Sequence, residues 1–216
     1  MKSVLILGAG NFGSMLARQM NAQGFEIMIV DARESLINAV MPYVTDAQIG
    51  DCTNPTFLRS LGVDNYDLCV VSMSENFQTS LEATSLLKEL GAKQVIARAK
   101  NEIQEKFLLR NGADAVVFPE RQMANWTAIR YSSDHIENYI DVSDGYSIYE
   151  VRVPEEWDGK RIDEIDVRRK FGFSILGIRN IKMNMNPPHD TILRKEESML
   201  VLGKDKELQQ YFRMRR

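Results

Sequence analysis

The chain has 216 residues, two cysteines and a formal net charge of −3 at neutral pH. That length accommodates one large domain or two small ones around a substantial core, the acidic balance offers no footprint for nucleic acid, and two cysteines do not make a disulfide framework. No apolar run approaches the roughly 20 residues of a membrane span, and Met1-Lys2 leads straight into an apolar run, so a soluble, cytoplasmic chain without a targeting peptide is expected.

Short apolar runs alternate with helical patterns from residue 3 to about 137. Strands are expected at Ser3–Leu7, Phe25–Val30, Ala47–Ile49, Leu68–Ser72, Gln94–Arg98 and Ala115–Phe118. Between them, helices are expected near Phe12–Gln23, Glu34–Met41, Pro55–Leu61, Phe77–Leu90 and Glu102–Asn111. This alternation predicts an α/β fold, a Rossmann-like doubly wound parallel sheet covered on both faces.

The first strand runs into Gly8-Ala9-Gly10-Asn11-Phe12-Gly13, and the second ends at Asp31. Gly8 permits a tight strand-to-helix turn, Gly10 lets backbone approach a phosphate, and Gly13 lets the helix pack closely on the strand. A phosphate would sit on free N–H groups at the helix start. The Asp31 carboxylate can accept both hydroxyls of an unmodified ribose and would repel a 2′-phosphate. A solvated Asp31 opening a turn with Ala32 is the alternative.

Other candidates follow the strand ends. Gly50-Asp51-Cys52-Thr53 comes after the third strand, where Asp51 and Cys52 can reach an adenine edge, and Ser72 and Asn76 flank the turn after the fourth. Arg98 ends the fifth strand, where a cation would answer phosphate charge. Glu120, after the sixth, reads either as a ligand for a divalent cation bridging the phosphates or as a carboxylate favoured by a helix macrodipole. Cys69 reads as a small buried hydrophobe, while a redox-sensing reading of Cys52 stays open. His135 and His189 lie in no metal-ligand spacing. With no Tyr-x-x-x-Lys pair, P-loop or nucleophile elbow, binding is expected rather than catalysis, and a small NAD(P)-dependent oxidoreductase is the alternative.

After Phe118 the texture changes. Met123, Trp126, Ile129, Ser133, Ile136 and Ile140 fall on one face of a helix, which is expected to run to Ile140 as a connector between subunits. A smaller α+β lobe should follow, with strands at Ser147–Val153, Phe173–Arg179 and Ser198–Leu202 and helices at Lys160–Lys170 and Lys206–Phe212. Met183–Pro188 reads as a turn or exposed loop. Arg213, Arg215 and Arg216 read as a solvated tail. The expected domains are 1–137 and 142–216, with the boundary near Asp141–Tyr146.

Taken together, the glycine loop, Asp31, Gly50-Asp51-Cys52-Thr53, Leu87-Lys88-Glu89-Leu90-Gly91, Asn111-Gly112-Ala113-Asp114, Phe118-Pro119-Glu120 and the stretch Val167–Leu176 resemble the cytoplasmic regulatory subunits of Ktr/Trk-type potassium uptake systems. The resemblance covers nearly the whole chain and implies an RCK N-lobe followed by an RCK C-lobe. It implies a homodimer assembling to an octameric ring, peripheral to the inner face of the cell membrane, that gates a membrane-embedded potassium-translocating subunit. Similar proteins often carry an arginine where Asn11 stands, reaching a terminal phosphate. Asn11 offers hydrogen bonds without charge, which leaves ATP, ADP and NAD(H) as candidate ligands. Some relatives bind cyclic di-AMP through the C-lobe, where Ile162, Ile165, Arg168, Phe171 and Pro187 occupy the corresponding region, but Gly172 lacks the side-chain amide some of them carry there.

Overall fold

The computed structural model describes residues 2–73 and 76–213 and divides into two compact units, Met1–Glu120 and Arg121–Arg216. Arg215 and Arg216 of the expected basic tail lie outside the described residues, as does the side chain of Arg213.

The first unit alternates β1 (Ser3–Leu7), α1 (Asn11–Ala22), β2 (Glu26–Asp31), α2 (Glu34–Val40), β3 (Asp46–Ile49), α3 (Pro55–Ser60), β4 (Leu68–Val71), α4 (Phe77–Glu89), β5 (Val95–Arg98), α5 (Glu102–Arg110), β6 (Ala115–Val117) and the start of α6 (Pro119–Arg130). Its parallel six-stranded sheet has the order β3-β2-β1-β4-β5-β6. The chain starts in the middle, moves outward to β3 and returns past β1 to build the other half. The strand order therefore reverses between β1 and β4, and their C-terminal ends flank the crevice where open α/β sheets hold ligands.

The apolar content of the strands follows from this burial on both faces. Leu5, Leu7, Cys69 and Val71 pack into one core with Leu58, Leu87 and Leu108. Val4, Ile6, Ile27 and Ile29 pack into the other with Ala17, Ile37 and Val40. Asn54, Asn76 and Asn101 cap α3, α4 and α5, their side-chain oxygens accepting N–H groups that have no partner within the helix.

The second unit is built on an antiparallel sheet of order β10-β9-β11-β8-β7, formed by β7 (Ile136–Ser143), β8 (Tyr146–Arg152), β9 (Ser174–Arg179), β10 (Met183–Met185) and β11 (Ser198–Lys204). Helices α7 (Ile162–Ile165), α8 (Val167–Phe171) and α9 (Asp205–Arg213) complete it. Trp157, Phe171, Phe173, Tyr211 and Phe212 form a continuous group of aromatic contacts in its core.

Four expectations are corrected. The helix expected to reach Ile140 ends at Arg130, and Ile136 and Ile140 belong to β7. The apparent stripe finds its partners inside the second unit, where Ile129 and Ile136 are buried and Trp126 packs on the same core. The two compact units accordingly meet at Glu120/Arg121 rather than near residue 140, and Asp144-Gly145, placed at the expected boundary, is the hairpin turn between β7 and β8, both residues having positive φ. The single helix expected over Lys160–Lys170 is broken at Asp166, which adopts φ 51° between α7 and α8. An aspartate tolerates that left-handed conformation better than most residues. Part of the expected Met183–Pro188 loop is β10, which pairs with β9 opposite Gly177, where the missing side chain leaves room for the Met183 and Met185 sulfurs.

Candidate functional site

A cavity of about 510 Å³ opens at the C-terminal ends of the parallel strands in the first unit. Of the residues expected there, Gly8, Gly10, Asn11, Phe12, Asp31, Asp51, Cys52, Ser72, Asn76 and Arg98 line it, and Gly50 contributes backbone. Gly13 and Glu120 are not among the residues that line it. Sequence reasoning missed Ala32, Arg33, Leu36, Met73, Thr79 and Lys100, which line it too. Two of these were traceable, because Arg33 follows Asp31 by two positions and Lys100 follows Arg98 by two.

The glycine loop is fixed by steric need. Gly8 has φ +105°, and a Cβ placed on Gly13 would lie 2.0 Å from the Gly8 carbonyl oxygen, so α1 reaches the end of β1 only without a side chain there. A Cβ on Gly10 would meet nothing within 4 Å, because that position faces the opening. Gly10 caps α1 without a side-chain bond, and the first turn holds no acidic residue. The N–H groups of that turn are thus oriented toward the cavity mouth with the positive end of the helix behind them, an arrangement suited to an anion.

Asp31 lines the same cavity beside the glycine loop. Its Oδ2 accepts the Ala9 N–H at 2.8 Å, and its Oδ1 accepts the Arg33 backbone N–H at 2.9 Å. The Arg33 side chain adds Nε to Oδ1 at 3.0 Å and Nη2 to Oδ2 at 3.2 Å. Burial pushes the Asp31 carboxyl up, but the hydrogen bonds from Arg33 and Ala9 together outweigh it, and the group lies below its ordinary value. The solvated reading of Asp31 is set aside, since its side chain is 7% exposed.

On the adjoining wall Asp51 Oδ1 accepts the backbone N–H and the hydroxyl of Thr53, which lower its pKa. The Cys52 thiol is buried and faces the Val30 carbonyl, and burial followed by the charges of Asp31 and Asp51 pushes its pKa up to about 12. It is therefore a poor thiolate at neutral pH, contrary to what a redox sensor needs. Ser72 points its hydroxyl into backbone, donating to Gly8 O at 2.6 Å, with Leu7 O within reach at 3.1 Å.

Arg98, 16% exposed, lies over the Phe12 ring at 5.4 Å from its centroid and pairs with Glu120 at the start of α6. The Glu120 carboxyl is lowered, first by the backbone N–H at the helix start and then by Arg98. Among the described residues no group of three or more His, Cys, Asp and Glu is placed to hold a metal ion, so Glu120 alone does not make a metal site.

The C-lobe residues named for a second messenger divide by environment. Ile165 is buried in the second core, Ile162 and Phe171 pack against it, Arg168 is exposed on α8, and Pro187 follows β10. Among the described residues, no helix is long and apolar enough to cross a membrane.

The TrkA-N domain family matches residues 4–119 and the TrkA-C domain family residues 148–215. The Ktr system potassium uptake protein A of Bacillus subtilis (strain 168) is 33% identical over 211 residues, covering 97% of this chain and 95% of the relative. Ktr system potassium uptake protein C of the same organism is 32% identical over 203 residues, covering 94% and 92%. Among solved structures, the GsuK channel bound to NAD superposes with a TM-score of 0.69 at 20% identity, over 98% of this chain and 39% of that one, a likeness of fold. The chain spans less than half the length of the GsuK RCK domain structure, which it matches with a TM-score of 0.67. Matched by both domain families and by relatives over almost their entire length, the chain belongs to the Ktr/TrkA family of RCK proteins.

Proposed function

We propose that this chain is a nucleotide-binding regulatory subunit of a potassium uptake system, which acts on a membrane-embedded potassium-translocating subunit from the cytoplasmic side. The observation that carries the reading is the cavity at the β1/β4 reversal, which the first turn of α1, with no acidic residue of its own, lines together with Asp31 and Arg98, in a chain that matches a Ktr protein over 97% of its length. NAD(H), ATP and ADP share the adenosine and phosphate groups that such a cavity accepts. Asp31 and the Gly50–Cys52 segment serve the adenosine end, while Gly10, Asn11, Phe12 and Arg98 serve the phosphates. Asn76 caps α4 and Gly13 and Ser72 hold the loop in shape. Glu120 supplies one carboxylate for a divalent cation whose other ligands would come from the phosphates. Arg168 is the exposed member of the C-lobe set toward cyclic di-AMP, with Ile162, Phe171 and Pro187 partly exposed.

The oxidoreductase alternative is not favoured, since the full-length relatives are potassium uptake proteins. A ligand alters the assembly only through different affinities for two of its shapes, and a 100-fold preference is worth about 2.7 kcal/mol per site. The test is potassium flux into vesicles holding the cognate membrane subunit, with this protein added under ATP, ADP, NADH or cyclic di-AMP. Ligand-dependent flux is expected. Identical flux under all ligands and in the protein's absence would overturn the regulatory reading.

A further inference from the structure

The ribose wall of the cavity is not the bare carboxylate that the position of Asp31 at the end of β2 suggests. Each Asp31 oxygen already accepts two N–H groups, Oδ1 from the Arg33 backbone and Nε, Oδ2 from Ala9 and Arg33 Nη2. A carboxylate oxygen has two lone-pair directions, so both oxygens are saturated. The two backbone donors are fixed by the loop and the turn. The guanidinium is the most accessible of these donors, since the Arg33 side chain is 51% exposed whereas that of Asp31 is 7% exposed. A ligand therefore meets Asp31 by displacing the Arg33 side chain, and that side chain stays tethered at the same wall, since both residues line the cavity.

The consequence is electrostatic as well as steric. An unpaired Asp31 would present a charge of −1 to the ribose 2′ position and exclude a phosphate there. The Asp31–Arg33 pair presents no net charge, and Arg98 and Lys100 line the same cavity. A free 2′-hydroxyl can donate to Asp31 once the guanidinium swings aside. A 2′-phosphate can instead accept the guanidinium in the planar, two-bond geometry that arginine offers to phosphate, while Asp31 keeps its backbone donors.

We propose that Arg33 is the specificity-determining residue of the ribose end, and that through it the pocket accepts adenosine ligands bearing a 2′-phosphate as well as those with a free 2′-hydroxyl. This rests on the nucleotide-binding reading of the same cavity and reverses the expectation that Asp31 excludes a 2′-phosphate.

The test is equilibrium binding of NADH and NADPH to the purified full chain, followed by dinucleotide fluorescence, with AMP and adenosine 2′,5′-bisphosphate as shorter probes read by calorimetry. In the unaltered protein the two members of each pair are expected to bind within about tenfold of one another. Arg33→Gln should shift the NADPH-to-NADH affinity ratio against NADPH by at least about fivefold, a threshold set below the roughly tenfold or greater effect expected for losing a charge-assisted contact. Arg33→Lys, which keeps the charge without the fork, should fall between the two. AMP binding no weaker than the parent's in either variant shows that the pocket has survived the substitution. A preference for NADH beyond tenfold in the unaltered protein, or a ratio that shifts less than fivefold in Arg33→Gln, overturns the proposal. If NADH and AMP bind and their 2′-phosphorylated counterparts do not, this inference alone falls. If none of the four binds, the nucleotide reading falls with it.

Discussion

The Ser72 hydroxyl lies 2.6 Å from the Gly8 carbonyl oxygen, tying the end of β4 to the glycine turn after β1 across the point where the strand order reverses. The same oxygen and that of Gly8 are the atoms nearest a Cβ built on Gly13, at 2.5 and 2.0 Å. One small region therefore sets the approach of α1 to the sheet. Gly13→Ala must push α1 off the loop and should cost about 1–3 kcal/mol, as overpacking does, together with nucleotide affinity. Ser72→Ala removes a donor without adding bulk and should cost about 1 kcal/mol. Urea denaturation of the two variants checks the order, and a Gly13→Ala protein as stable as Ser72→Ala would contradict the packing.

Asp31 is structural as well as part of the cavity lining. Asp31→Asn replaces an acceptor oxygen by an amine facing N–H donors from Ala9 or Arg33, and should destabilise the first unit by about 2–3 kcal/mol. The pH dependence has a definite sign. The folded carboxyl lies below the ordinary 3.8, so the unfolded chain binds its proton first as pH falls. The stabilisation is complete above that value and is lost as pH drops through the lower folded one. The stability gap between the parent protein and Asp31→Asn should therefore be widest near neutral pH and narrow below about pH 4. A gap independent of pH would show that the carboxylate charge is not what holds the loop.

The parallel sheet and the cavity were legible because β1, β2, β4 and β5 are short, largely apolar runs, and the residues at or just past their ends, such as Gly8, Asp31, Ser72 and Arg98, line the cavity. The segment after Arg130 was not. In β7 the register shifts between Ile136 and Asn138, so the two inward residues, Ile136 and Tyr139, are three apart rather than two. The helical reading instead runs from Ile129 through Ser133 and Ile136 to Ile140, which is 54% exposed on β7, and periodicity alone cannot separate a bulged strand from a helix. Arg33 was missed for a different reason. Its role lies in a bond to its neighbour two positions back, a proximity that the sequence holds but that attention to strand-end residues passes over.

Both thiols should be silent in the folded protein. Burial pushes Cys52 up to about 12, with Asp31 and Asp51 adding to it, and pushes Cys69 to about 12 as well. Because the unfolded thiols ionise near 9.0, stability should decline as pH rises above that point and continue to fall toward the folded values. Ellman's reagent at pH 8 is expected to titrate both cysteines only after guanidinium is added. Rapid modification of Cys52 without denaturant would restore the redox reading.

The last prediction concerns Arg98 and Glu120, whose ion pair links the cavity wall to the start of α6, the wall proposed to meet the phosphates. Glu120 is 54% exposed, so the pair itself contributes little to stability, on the order of 0–1 kcal/mol. Its importance is that one guanidinium faces two competitors. A nucleotide phosphate that takes Arg98 leaves Glu120 without that partner, free to meet a cation or a second phosphate contact. Arg98→Ala should therefore weaken phosphate-rich ligands more than lean ones, reducing ATP affinity about tenfold while changing AMP affinity about threefold or less, since a hydrogen bond to a charged group is worth about 1.5–3 kcal/mol. Glu120→Gln removes the competitor and keeps the shape, so ATP should bind more tightly in magnesium-free buffer. Calorimetric titrations with and without magnesium separate the two roles. If magnesium strengthens ATP binding to the parent protein but not to Glu120→Gln, the carboxylate serves the cation. If neither substitution changes the ATP-to-AMP ratio, the phosphates lie elsewhere in the cavity and Arg98 holds only α6.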